Sequence, residues 1–180
     1  MKALATWLSK QCVHYNIIED DLFDWCVYCI EKRLVSFLSR LSLFFIGFIL
    51  FGASQSIIFI ACFFFLRKIT NGYHASTYLG CLSLSIFVEV SCLLLAQILP
   101  YKLAIITVFF SDILIAARAP INDIKIHLDA SEIIALKSKI KRSLFFINCV
   151  YVILLLFQIS LSNYVSVALL ADSISLHIKR

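Results

Sequence analysis

The residues best suited to chemistry are His74 and Cys81, in the stretch Arg67-Lys68-Ile69-Thr70-Asn71-Gly72-Tyr73-His74-Ala75-Ser76-Thr77-Tyr78-Leu79-Gly80-Cys81. Cysteine attacks a carbonyl carbon as its thiolate, which an unassisted thiol forms only sparingly at neutral pH. A neighbouring imidazole can take the proton, and a helix N-terminus favours the anion that results. Ser76 and Thr77 are both N-capping residue types, so a helix starting there carries Cys81 in about its first turn. In one continuous helix the His-x6-Cys spacing would rise roughly 10 Å, too far for a hydrogen bond. His74 must then stand on a connection that folds back. Asn71-Gly72 tolerates the left-handed backbone such a bend needs, and Gly80 removes bulk beside Cys81. Cysteine is also a common small buried apolar residue. On spacing alone, Cys81 as nucleophile and Cys81 as packing both stand.

The elements around this stretch follow from composition. Of 180 residues, 62% are hydrophobic and 15% charged, with 4 Gly and 2 Pro, and the mean hydropathy is +0.96. Soluble domains are about 45–50% apolar and about 25% charged. A water-soluble globule of this size could not hide so much apolar surface, and disorder, collagen and a small disulfide scaffold are excluded by the same figures. The expectation is an all-α, polytopic membrane bundle of about six membrane segments, forming one membrane-embedded domain over residues 1–180. The net charge of +5 comes from basic residues in short connections, with no basic stripe interleaved with aromatics. Such charges set orientation and touch anionic lipid; nucleic acid is not an expected partner, whereas the bilayer is.

Residues 1–33 read as an amphipathic interfacial region. Leu4, Trp7, Leu8, Cys12 and Tyr15 share a helical face, Glu19-Asp20-Asp21 breaks the pattern, and Phe23, Cys26, Val27, Ile30 and Leu34 resume it. The first strongly apolar region, Leu34 to Leu66, is longer than the ~20 residues one span needs. A hairpin turning at Gly52–Gln55 is preferred to one long tilted helix; its second arm is short unless Arg67 and Lys68 snorkel at its end. Further spans are expected at Tyr78–Leu99, Leu103–Ala117, Ser143–Ile159 and Leu161–Leu176, with a turn at Pro100-Tyr101-Lys102 and a hinge at Leu161-Ser162-Asn163. The polar loop Arg118–Arg142 ends in a Lys-rich helical stretch and holds six basic residues, which places it in the cytoplasm. Two spans separate it from the Arg67–Thr77 connection, which then shares its side, so the segment 67–81 is expected to face the cytoplasm. With the hairpin, only Lys102 of the 16 basic residues falls outside.

Arg67-x4-Gly72-x-His74-x6-Cys81 in a multispan chain of this length resembles the accessory gene regulator B (AgrB) family, as does Ala119-Pro120-Ile121-Asn122 followed by a Lys-rich loop. Those are bacterial membrane cysteine endopeptidases that process the precursor of a cyclic quorum-sensing peptide. The likeness in layout covers nearly the whole chain, and the specific motifs about thirty residues. The family commonly has two consecutive glycines where this chain has Asn71-Gly72. The resemblance implies that Cys81 is the nucleophile and His74 its base, that Arg67 and Gly72 support the site, that no cofactor or metal is used, and that the partners are a small precursor peptide and a second copy of the chain. Small-residue helix faces look scarce, so the homodimer rests on the resemblance alone. The rival reading is a non-enzymatic membrane scaffold or peptide-exporter component.

Lesser candidates remain. Glu89 and Asp112 lie inside expected spans, where ionisable groups are costly and suggest function. Glu89, about two turns deeper than Cys81, could support the site or pair with another helix; Asp112 could pair with Arg118 or neutralise by protonation. Cys26-x2-Cys29 has the spacing of half a structural zinc site, with no second Cys/His pair to complete it, or of a redox pair, which the reducing cytoplasm disfavours as a disulfide. Lys137, Lys139, Lys141 and Arg142 suit either anionic lipid or an acidic substrate tail.

Overall fold

The structure is a computed structural model that describes residues 2–72, 77–122, 128–157 and 159–178. Among the described residues there are seven α-helices and no strand: α1 (Lys2–His14), α2 (Phe23–Phe51), α3 (Ala53–Thr70), α4 (Tyr78–Ile98), α5 (Tyr101–Arg118), α6 (Ala130–Phe157) and α7 (Ile159–Ser175). The architecture is all-α, as a chain poor in Gly and Pro and rich in Leu, Ile and Phe requires in lipid, where only helices and closed barrels satisfy the backbone. The chain divides into two compact units, Met1–Leu43 and Phe44–Arg180.

In the first unit, α1 ends at His14, and Asn16 turns the chain with φ 52°. A short 3₁₀ turn at Asp20–Leu22 then leads into α2. The acidic cluster Glu19-Asp20-Asp21 separates the two amphipathic stretches where the sequence breaks, and with Asp24 it puts negative charge at the N-terminus of α2, where the helix dipole favours it. The second stretch is continuous with the first span, so the interfacial segment and the span form a single 29-residue helix. Trp7, Trp25, Tyr28 and Phe37 are exposed, as side chains facing lipid or its interface would be.

The second unit takes in the last part of α2 and then turns at Gly52, whose φ of 100° side-chain-bearing residues rarely adopt. Gly47 and Ser56 would stand roughly 13 Å apart along a straight helix. Instead, a Cβ built on Gly47 would lie 2.6 Å from Ser56 Oγ and 2.8 Å from Glu89 Oε1. The chain therefore turns sharply at Gly52, within the corner expected at Gly52–Gln55. The close approach carries a prediction. Gly47→Ala forces a methyl against Ser56 and Glu89, both buried, and overpacking of this kind costs about 1–3 kcal/mol. The variant should unfold at lower temperature in detergent, and Ser56→Gly in the same chain should restore part of the loss.

Among the described residues four helical segments are long and apolar enough to cross a bilayer: Asp20–Phe51, Ala53–Thr70, Leu79–Ile98 and Ala130–Phe157. Of the other two expected spans, α5 carries Lys102, Asp112 and Arg118, and α7 has 17 residues. The Lys-rich stretch before Ser143 is continuous with the next apolar run, giving the 28-residue α6. The break before α7 falls ahead of Leu161-Ser162-Asn163, which lie inside that helix.

Helix α7 is the centre of this unit, packing against α3, α4, α5 and α6. Residues from Ser162 to Leu169 are buried on every face, as are Ala171, Asp172 and Ser173. The physical reason corrects the impression that small-residue faces are scarce. Ser162, Ser166, Ala168, Ala171 and Ser173 let neighbouring backbones approach closely, which is how helices associate where lipid removes the hydrophobic drive. Around α7 the core is completed by Phe59, Leu66, Leu93, Ile115 and Ile140. Asn163 on α7 ties down α4: its Nδ2 donates to Ala96 O at 3.1 Å and Leu99 O at 2.7 Å, satisfying carbonyls that the end of α4 leaves open.

Candidate functional site

Helix α3 ends at Thr70 with Asn71 in the left-handed conformation, φ 55° and ψ 36°. Asparagine is one of few residues with a side chain that visit this region routinely, and Asn71 adopts here a backbone geometry that glycine also reaches easily. The consequence is testable. Asn71→Gly should leave thermal stability within about 0.5 kcal/mol, whereas Asn71→Val, with a branched Cβ held at positive φ, should lose about 1–2 kcal/mol.

On the far side of the connection, Thr77 is the N-cap of α4: its hydroxyl accepts from Gly80 N–H at 3.2 Å. Cys81 N–H donates to Thr77 O at 2.9 Å, the first hydrogen bond of the helix. Cys81 thus sits in the first turn of α4, half-buried, beside the helix end that carries positive partial charge. Ser85 Oγ donates back to Cys81 O at 2.8 Å. His74 lies outside the described residues.

The structure brings Arg67 and Gly72 together. Arg67 does not snorkel outward as Lys68 does; its guanidinium turns in towards α7, where Nη1 donates to Ser175 Oγ and lies 4.0 Å from Asp172 Oδ1. Asp172 is fully buried and also accepts from Thr70 Oγ1 at 3.1 Å. Ser175 Oγ donates to Asp172 O at 2.6 Å. Gly72 is pressed so closely against Arg67 that a Cβ there would collide with Nη1. The second motif joins the same place: Ile121 N–H donates to Thr70 O at 3.1 Å. Asn122 exchanges side-chain hydrogen bonds with the backbone of Leu128, at 3.2 and 3.0 Å.

Glu89 stands apart from this cluster, deeper along α4 and against Gly47; neither of its carboxylate oxygens has a partner among the described residues. Asp112 accepts from Asn148 Nδ2 at 2.6 Å, so an α5–α6 contact takes the place expected for Arg118. No group of three or more His, Cys, Asp or Glu that could hold a metal ion occurs among the described residues, and Cys26 and Cys29 are free thiols. Asp172 and Ser175 are the site residues that sequence reasoning missed. The signal was present: an acid inside an apolar run, the feature that singled out Glu89 and Asp112.

A family model described as accessory gene regulator B matches residues 1–176. The chain belongs to the accessory gene regulator B family. No curated protein and no solved structure gives a match. Membership in AgrB, together with the long apolar helices, makes this a multi-pass membrane protein with a role in quorum-sensing peptide processing.

Proposed function

We propose that this AgrB protein is a membrane cysteine endopeptidase that cleaves the C-terminal tail from a small autoinducing-peptide precursor and closes the remaining peptide into a thiolactone or lactone. The observation that carries the reading is the place of Cys81, in the first turn of a Thr77-capped helix, directly after a connection whose stem is braced by Arg67. His74 takes the thiol proton as Sγ attacks the scissile carbonyl, and returns it to the leaving amine as the C–N bond breaks and the tail departs. The thioester left on Cys81 is attacked by an internal thiol or hydroxyl of the bound precursor, whose proton passes by way of His74 to the departing Cys81 sulfur. Exchange of one thioester for another is nearly balanced, so ring closure wins where water is kept away. A site at a membrane boundary suits that need. The catalytic segment 67–81 faces the cytoplasm in this reading, and the chain works as a homodimer.

Mass spectrometry on membranes carrying this chain and a precursor peptide tests the reading. The expected result is a released tail and an N-terminal product lighter by one water than its hydrolysed form. A precursor left whole would overturn it.

A further inference from the structure

Among the described residues, Asp172 is the most enclosed charged group around the stem of the catalytic connection. Its Oδ1 receives the Thr70 hydroxyl and faces the Arg67 guanidinium, while Oδ2 has no partner among the described residues. A buried carboxylate placed this way is costly to dehydrate and holds its place only through its partners. Those partners are the last turn of α3. Arg67 in turn lies across Gly72, the last described residue before His74, and Thr70 O holds Ile121 of the second motif. The carboxylate therefore stands where three pieces of chain meet: the end of α3, the glycine that follows it, and the segment after α5. The guanidinium also lies near the C-terminal ends of α3 and α7, where helix dipoles favour a cation.

We infer that Asp172 is a positioning residue for the catalytic connection: through Arg67 and Thr70 it fixes the path on which the chain leaves α3, and with it the approach of His74 to Cys81. This rests on the endopeptidase reading for its chemistry, but its geometry is that of the stem alone. One end of the connection is fixed at Thr77 by the α4 cap, and the other at Thr70–Gly72 by the buried acid on α7. Displacements of about 1 Å between reacting groups can cost two orders of magnitude in rate, so loss of the brace should be read in turnover more than in substrate capture.

The test uses the full-length protein in nanodiscs with a precursor peptide. Asp172→Asn keeps an acceptor for Thr70 and removes the charge that faces Arg67. It should lower kcat by at least about tenfold with KM changed by less than about twofold, and should slow alkylation of Cys81 by iodoacetamide at pH 7 in parallel. Arg67→Gln combined with Asp172→Asn should be no slower than Arg67→Gln alone, because the two act through one contact. Wild-type kcat and alkylation in Asp172→Asn would overturn the inference, as would losses that only follow the amount of folded protein in thermal unfolding. Where Asp172→Asn does not fold, Thr70→Val removes one hydroxyl at constant shape and is held to the same outcomes. If the wild-type chain itself releases no tail, the endopeptidase reading fails. Alkylation of Cys81 then still decides the positioning role: slowed in Asp172→Asn it stands, unchanged it falls.

Discussion

Cys81→Ala releases no tail: turnover of the precursor should fall by at least about a thousandfold, with the protein still inserted and folded. The size of the effect follows from the loss of the attacking atom. Cys62 and Cys92 lie within α3 and α4 among core side chains, and Cys149 is exposed on α6. None of these stands at a capped helix start, as Cys81 does. His74→Ala removes the proton acceptor but leaves the sulfur, so its loss should be smaller, about a hundred- to ten-thousandfold. The two variants differ in a second readout. Intact-protein mass spectrometry should find a precursor fragment attached to the wild-type chain, a trace of it on His74→Ala, and none on Cys81→Ala. Cys149→Ala is the control and should keep full turnover. Wild-type cleavage by Cys81→Ala would falsify the nucleophile assignment and leave the membrane fold untouched.

The parts of this fold that could be read from the sequence are those settled by near neighbours in the chain. Gly52 marks a corner because residues with side chains rarely adopt its φ of 100°, and Thr77 caps α4 because a hydroxyl there reaches the amide three positions on. Asn71 adopts the left-handed geometry for which its residue type is suited. Pro120 stands just beyond the end of α5, as a residue that cannot continue a helix should. What escaped depends on partners far along the chain. Arg67 looks like a snorkelling cation at a span end, and only the arrival of Asp172 from α7 turns it inward. Composition cannot distinguish a last, short, serine-rich helix on the periphery from one at the centre. Burial of α7 is decided by its four neighbours. For the site, His74 and Cys81 could be singled out by residue type, and Arg67 and Gly72 through the family pattern. The reason that pattern pairs an arginine with a glycine needed the three-dimensional contact.

That contact makes Gly72→Ala the second large effect. The glycine is needed for space: a Cβ would overlap Arg67 Nη1 and lie 2.8 Å from its Cζ and 2.5 Å from Ser175 Oγ. Gly72 is buried, so the methyl has no outward path. Either the backbone shifts, carrying the root of the catalytic connection with it, or the guanidinium leaves Asp172. The second course strands a fully buried carboxylate, and breaking a buried pair from one side costs about 3–5 kcal/mol. Gly72→Ala should therefore lower the unfolding temperature in detergent more than Asn71→Val does, and cut turnover by about a hundredfold or more. Shortening the arginine separates the two courses. If eviction of the guanidinium is the cause, Arg67→Lys combined with Gly72→Ala should be more stable than Gly72→Ala alone, since the ammonium is smaller and still faces Asp172. If the backbone shifts instead, the second change brings nothing back. A Gly72→Ala chain as stable and active as wild type would show that the guanidinium does not lie across this residue. The Arg67-x4-Gly72 spacing has its physical meaning here: the last turn of α3 directs an arginine inward, Asn71 reverses the chain, and the following residue must be small enough to pass beneath the guanidinium on the way to His74.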